Sequence, residues 1–375
     1  MINRRSFIRR AGLATTGFAV TGCLPRAMAN PGPAARRRVN LVAPTISWDR
    51  VIRTTVGLRP HRDSGFVVRA DRLDEKTVIH NYGHGGTGYS LSWGTAQLAT
   101  DLALQGTARR AAVVGSGIVG LTTARQLQRH GFDITIYAAS LPPETTSNMA
   151  WAAFTPLSGL VEPERRTAEW DAQFQRAVSI SYRQHQLLAG NRYGVSWIDE
   201  YTPTNNPNGP RRGADEGGPG LMPDGLTVRP VVLNPGEHPF ATSHAYCAPN
   251  LRFEPSIYLD ALMRDVVAFG GRFVVRTFET KRDLAALSET LILNCTGLGA
   301  KTLFGDDELI PIKGQLTVLV PQSEVNYTAG GMMPRSDGIV LGHVAKRGVS
   351  SLEVDEGERK RVVEAAIAFF ARMQA

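Results

Sequence analysis

One stretch constrains the fold of this chain more than any other: an apolar strand pattern that runs into a glycine-spaced turn and out into a helix. Ala111-Ala112-Val113-Val114 leads into Gly115-Ser116-Gly117-Ile118-Val119-Gly120, then a helix pattern to His130 and a second strand pattern at Asp133–Tyr137. G-x-G-x-x-G at a strand-to-helix turn inside a βαβ unit is the setting in which this motif binds a dinucleotide. The glycines let a pyrophosphate approach the backbone, and the helix start points N–H groups and a positive dipole end at it. A tight turn without a ligand is the alternative. The pattern predicts an α/β chain with a Rossmann-type parallel sheet, and assigns Gly115, Ser116, Gly117, Ile118, Val119 and Gly120 to the cofactor.

After the second strand the chain reads Ile136-Tyr137-Ala138-Ala139-Ser140, without the acidic residue that binds ribose hydroxyls in nicotinamide proteins. Ser140 is the candidate substitute, and an NAD-dependent dehydrogenase is disfavoured. A second glycine-dense stretch lies upstream. Val78-Ile79 ends a strand pattern, Gly83, Gly85, Gly86 and Gly88 crowd a short loop, and a helix pattern covers Thr95–Leu104. The same logic makes Gly85, Gly86, Gly88, Tyr89 and Ser90 cofactor candidates; a hairpin followed by a helix is the plainer reading.

Val56-Gly57-Leu58-Arg59-Pro60, Arg62, Arg69 and the run His80-Asn81-Tyr82-Gly83-His84-Gly85-Gly86 together resemble the carboxy-terminal third of the D-amino-acid oxidase family of flavoenzymes. The resemblance implies FAD as cofactor, with the glycine loop and its helix facing the isoalloxazine ring. It implies that Arg59 binds a substrate carboxylate and that the Gly86 carbonyl accepts from the substrate amine. A guanidinium suits that task, being permanently charged and bidentate. Arg62 and Arg69 are the rivals. Thr145-Thr146-Ser147, with Ala152 shortly after, resembles the family's hydroxyl-rich flavin loop, or else is an N-cap cluster. Thr296 and Gly297, closing the strand pattern Leu291–Asn294, match a second flavin contact. Tyr327 matches the first of two substrate-facing tyrosines, acting as a gate or hydrogen-bond donor, or else pairs across strands. The second tyrosine falls on Gly331, which would open the pocket near the carboxylate.

In that family the glycine fingerprint opens the chain and the Arg-Pro segment closes it; here the closing segment comes first. This order implies a circular permutation, with Gln105–Arg110 joining the flavin-loop helix to the first Rossmann strand. The expected architecture is a glutathione-reductase-like FAD domain plus a mixed-sheet α+β substrate domain. Its segments are 1–29 leader, 30–48 linker, 49–110 permuted segment, 111–165 Rossmann segment, 166–290 substrate domain, 291–304 second FAD segment and 305–375 sheet and final helix. Thr167–Ala189 reads as a helix burying Trp170, Phe174, Val178 and Ser181. Pro203–Pro235 reads as a surface loop, a lid or an inert insertion.

The net charge of +8 is inflated by the first residues, since without Arg4, Arg5, Arg9 and Arg10 it falls to +4. The balance therefore carries no nucleic-acid signal. Those arginines precede a short apolar run, Ala11–Gly22, and resemble a twin-arginine (Tat) export signal. Cleavage before Cys23, with a lipid anchor there, and cleavage after Ala29 are both open. The expected location is periplasmic, with Tat machinery and a possible membrane anchor as partners. Three cysteines show no metal-ligand or disulfide spacing.

The expected activity is FAD-dependent oxidative deamination of D-amino acids, with O2 reduced to hydrogen peroxide. The alternatives are an FAD-dependent dehydrogenase passing electrons to a quinone and an envelope flavin-binding protein without turnover.

Overall fold

Three short apolar strands lying side by side position everything else. The computed structural model describes residues 38–208, 217–226 and 228–373, so the leader, both cleavage signals and Cys23 lie outside the described residues. The chain enters through β1 (Val51–His61), β2 (Val67–Leu73) and β3 (Lys76–Tyr82), then passes the glycine loop into α1 (Gly88–Ala103). The fingerprint unit follows as β4 (Arg110–Val114), α2 (Ile118–Arg129) and β5 (Asp133–Ala138). Next come α3 (Ala168–Leu187), β6 (Val195–Thr204), β7 (Val231–Leu233), β8 (His244–Phe253), α4 (Pro255–Ala268) and β9 (Arg272–Val275). The chain continues through α5 (Lys281–Ala285), β10 (Leu291–Asn294), α6 (Gly299–Phe304) and β11 (Ile310–Leu319). It ends with β12 (Tyr327–Ala329), β13 (Met332–Arg335), β14 (Gly338–Leu341), β15 (Lys346–Arg347) and α7 (Glu356–Phe370).

One sheet runs β2-β3-β10-β4-β5-β9, parallel throughout except for the edge strand β2. Its central strands are buried on both faces, as their unbroken Val/Ile/Leu/Ala runs require. The other sheet runs β1-β11-β14-β13-β12-β6-β8-β7 with β15 also on β11, antiparallel except where β12 meets β6. This is the mixed α/β architecture expected.

Two apolar clusters fill the fold. One packs α1 to α4 with the parallel sheet around Leu91, Leu121, Phe174, Phe253 and Tyr258. The other lies between the mixed sheet and α7, around Tyr327, Met332, Leu341 and Val363. Trp170, Phe174, Val178 and Ser181 form the buried face of α3. Where α3 crosses α1, a Cβ at Gly94 would overlap the Ala177 carbonyl, and the Gly94 N–H donates to Ser181 Oγ at 2.8 Å.

Three details differ from expectation. The flavin-loop helix starts at Gly88 rather than Thr95, because the loop's last glycine already has helical geometry. β1 extends through Arg59-Pro60 to His61, with Pro60 opposite Pro311 in the ladder. The 203–235 segment is not all loop. Val231–Leu233 pairs with β8, Leu221 is buried, and Arg166 Nη1 clamps the Gly217 carbonyl at 2.8 Å.

Gly94→Ala should destabilise the fold by about 2–4 kcal/mol, since helix backbones must separate to admit one methyl group. Urea unfolding followed by circular dichroism measures this.

Candidate active site

The glycine-rich turns meet because of strand register. β10 pairs with both β3 and β4, so Asn294 lies beside His80 on one side and Val114 on the other. All three strands are parallel. Their carboxyl ends therefore release the loops Gly83–Thr87, Cys295–Gly297 and Gly115–Gly117 along one edge, where ligands of open α/β sheets bind.

The fingerprint turn is closed by contacts that only glycine permits. Gly115 has φ +112°, and a Cβ there would overlap the Cys295 carbonyl; a Cβ at Gly120 would overlap the Gly115 carbonyl. At Gly117 a Cβ would lie 3.1 Å from Ser147 Oγ. That hydroxyl accepts from the Ile118 N–H at 2.9 Å, so Ser147 caps α2 from a distant loop. Ser116 Oγ donates to the Ser140 carbonyl. Ser140 thus contributes its backbone there, and Ala139 beside it is exposed. Thr145 bonds Asn148 Oδ1 at 2.8 Å, and Thr146 packs beside Gly57.

α1 starts next to α2. A Cβ at Gly88 would lie 3.2 Å from Ile118 Cγ2, and Tyr89 Oη donates to the Ser147 carbonyl at 3.0 Å. Two helix N-termini thus point at one edge, with Val119 and Gly120 in the first turn of α2, concentrating positive potential there. Gly85, at φ +54°, donates its N–H to the Pro60 carbonyl at 2.9 Å. Ser90 Oγ accepts from the Thr155 N–H at 2.8 Å, and Ala152 sits at φ +61° with its carbonyl held by the Phe253 N–H. Thr296 is committed to Asn294, whose Oδ1 accepts from its hydroxyl at 2.8 Å, while Gly297 (φ +58°) faces Pro60.

Of the three arginines, geometry singles out Arg59. Arg62 is spent on Asp306 at 2.9 Å and Glu308 at 2.6 Å, and Arg69 pairs with Asp71 on the surface. The Arg59 guanidinium lies across Gly314 and donates to the Val344 carbonyl at 3.4 Å. Its Cδ lies 3.7 Å from where a Cβ of Gly86 would be. Burial lowers its pKa, no acidic neighbour opposes that shift, and among the described residues no carboxylate pairs with it.

Tyr327 requires correction. Its ring is buried in the cluster beneath α7, edge-on to Tyr201, and its hydroxyl donates to the Val42 carbonyl at 3.1 Å. β12 presents this side chain to the face opposite Arg59, so Tyr327 is a packing residue. Gly331, at φ +78°, lies instead beside His343, where a Cβ would come 3.0 Å from Cδ2 of that ring. The sequence reading singled out neither His343 nor Trp151, whose rings lie together with centroids 5.0 Å apart. It also passed over His61, whose Nδ1 meets the Gly159 carbonyl at 2.9 Å and fastens the 155–161 loop to the end of β1.

The sequence profile of the DAO family, described as FAD dependent oxidoreductase, matches residues 21–102 and 110–375. The chain belongs to that family. The D-amino-acid oxidase of Rubrobacter xylanophilus is 27% identical over 286 residues, covering 71% of this chain and 78% of that protein. The D-aspartate oxidase of Homo sapiens is 26% identical over 263 residues, covering 68% and 74%. The solved glycine oxidase of Geobacillus kaustophilus is similar at 15% identity and a TM-score of 0.48, covering 71% of this chain and 80% of that one.

This DAO-family chain is an FAD-dependent oxidoreductase, and its residues fit the cofactor. Gly115 and Gly120 let the turn close against the Cys295 and Gly115 carbonyls, and two helix N-termini face the edge it forms. The turn Gly115–Gly120 with Ser147 would hold the pyrophosphate, and Gly85, Gly86 and Gly88 would face the ring.

Gly120→Val should yield protein without bound flavin, read as loss of the visible absorbance after purification. A second expectation concerns pH. Burial lowers both His84, behind the glycine loop, and His185, under α1, to about 3. The unfolded chain therefore takes up these protons first. Stability is full above about pH 6.5 and falls as pH drops toward 3, with about 2 kcal/mol lost per histidine at pH 5. Denaturant midpoints at pH 7.5 and pH 5 check this.

Proposed function

We propose that this family member oxidises D-amino acids to imino acids, which water hydrolyses to 2-oxo acids and ammonia. The carrying observation is Arg59, a half-buried cation without a carboxylate partner among the described residues, held against Gly86 of the glycine loop. An anionic group on the substrate completes it.

Arg59 binds the carboxylate in a bidentate fork and so fixes one end of the substrate. The Gly86 carbonyl takes the amine, fixing the other end. With both ends held, the substrate keeps only rotation about the line between them, and such positioning supplies much of the rate. The bound flavin supplies the acceptor for the hydride. The nitrogen lone pair forms the C=N bond as the hydride leaves, and the amine gives up one proton. Dioxygen then takes two electrons and two protons to give hydrogen peroxide. Ser158 and Gly159 pack their backbone closely on Gly86 and Gly85.

The permuted order belongs to the same proposal. It is supported by the break in the family match at 103–109, the link between α1 and β4, and by β3 and α1 preceding β4 in the chain. Export through the Tat route, with an anchor at Cys23, is also proposed, on the leader alone.

Anaerobic titration of the flavin-loaded protein with D- and L-amino acids tests the activity. Bleaching by D-isomers alone is expected, with peroxide formed on admitting air; no bleaching by any of them would refute the proposal. Peroxide-free turnover with a quinone analogue would replace the acceptor. Arg59→Ala should raise KM by about 100-fold or more, the cost of one lost charge-assisted pair.

A further inference from the structure

The turn after β10 ends a chain of hydrogen bonds in which every proton is placed by elimination. It starts from a backbone group. The Thr296 N–H can only donate, and the atom it meets is Asn294 Oδ1 at 3.3 Å. The Asn294 amide is therefore turned with Nδ2 toward His80, whose Nδ1 lies 2.9 Å away. An amide nitrogen only donates, so Nδ1 accepts and the imidazole proton sits on Nε2. There it meets the Asp71 carboxylate at 3.1 Å. Burial lowers the His80 pKa against the pull of Asp71, so the ring carries that one proton. His80 and Asn294 are both buried, and neither has solvent to fall back on.

The last member is the Thr296 hydroxyl. Asn294 Oδ1 has no proton, so at 2.8 Å this hydroxyl donates to it. Thr296 Oγ1 is left with lone pairs and no proton to give. It suits a ligand donor, and it would meet a phosphate oxygen lone pair to lone pair. Sheet order says which donor. β10 lies between β3, whose loop would face the flavin ring, and β4, whose turn would hold the pyrophosphate. A Cβ at Gly115 would lie 3.4 Å from Thr296 N, so the two turns are close neighbours. The part of FAD between ring and pyrophosphate is the ribityl chain, and its hydroxyls are donors.

We propose that Thr296 Oγ1 accepts a hydrogen bond from a ribityl hydroxyl of the cofactor, and that Asp71, His80 and Asn294 are positioning residues that turn it to do so. This rests on the assignment of the turns after β3 and β4 to FAD. It does not depend on Arg59 or on which substrate is oxidised.

The test dilutes flavin-loaded protein and reads the Kd from the fluorescence of released FAD, so no turnover is needed. Thr296→Val should weaken FAD about tenfold, while Thr296→Ser, which keeps the acceptor, should bind within about threefold of the parent. His80→Phe keeps a ring against Phe304 but takes nothing from Asn294, and should also weaken FAD about tenfold. The double variant should bind no worse than either single one, whereas independent packing defects would multiply. If His80→Phe does not fold, Asp71→Ala, at the exposed end of the chain, takes its place in the same cycle. FAD stripped of its ribityl hydroxyls should bind the parent and Thr296→Val alike. Parent-like FAD affinity in Thr296→Val overturns the inference. Losses that multiply in the double variant overturn the positioning roles, and weaker binding of the stripped analogue to Thr296→Val than to the parent overturns the ribityl assignment.

Discussion

The shared edge of β3, β10 and β4 is the constraint on which the rest of the structure depends. Because these strands are parallel and in register, Gly83–Gly88, Cys295–Gly297 and Gly115–Gly120 emerge together. No single loop makes the site. The fingerprint turn touches the Cys295 carbonyl, Gly297 touches Pro60, and Gly85 is bonded to Pro60, so each loop fixes the next. A change in the register of β10 would separate the phosphate end from the substrate end.

Close backbone approach transmits that constraint outward. α1 is buried along most of its length and is packed by α2 and α3 without room for a methyl group at Gly94. Its N-terminus is therefore held as firmly as the sheet edge, and Tyr89 ties it to the loop that caps α2. Chain order matters little to this packing. The link from α1 to β4 is short, and contacts between the elements are the same whichever of them is translated first.

The strand-turn-helix units assigned to the cofactor were legible in the sequence, because their signals are local. A strand pattern, glycines at fixed spacing and a helix pattern are read from neighbouring residues, and the structure keeps them together. The substrate side was legible only where a motif carried it. Arg59 is separated from Arg62 and Arg69 by partners 244 residues downstream and by surface exposure, which spacing cannot show. Tyr327 was misplaced because side chains alternate across a strand, and the face cannot be read from a three-residue strand followed by the Gly330-Gly331 turn. Trp151 and His343 escaped notice because their meeting depends on glycines at 331 and 342 and on one left-handed backbone residue.

Charge gives the site its logic. Two helix N-termini face one sheet edge, a half-buried guanidinium lies across Gly314, and Ala139 stands where the usual ribose-binding acid would be. A bound dinucleotide's pyrophosphate would neutralise the potential of the helix N-termini. Arg59 is directed away from the fingerprint turn, across Gly314 toward Val344, and so remains for a different anion. An uncharged amine would leave a desolvated cation without a partner, a cost of several kcal/mol that an amino acid's carboxylate removes on binding. In the proposed function, these electrostatics favour a carboxylate at Arg59, while the amine is left to the Gly86 carbonyl.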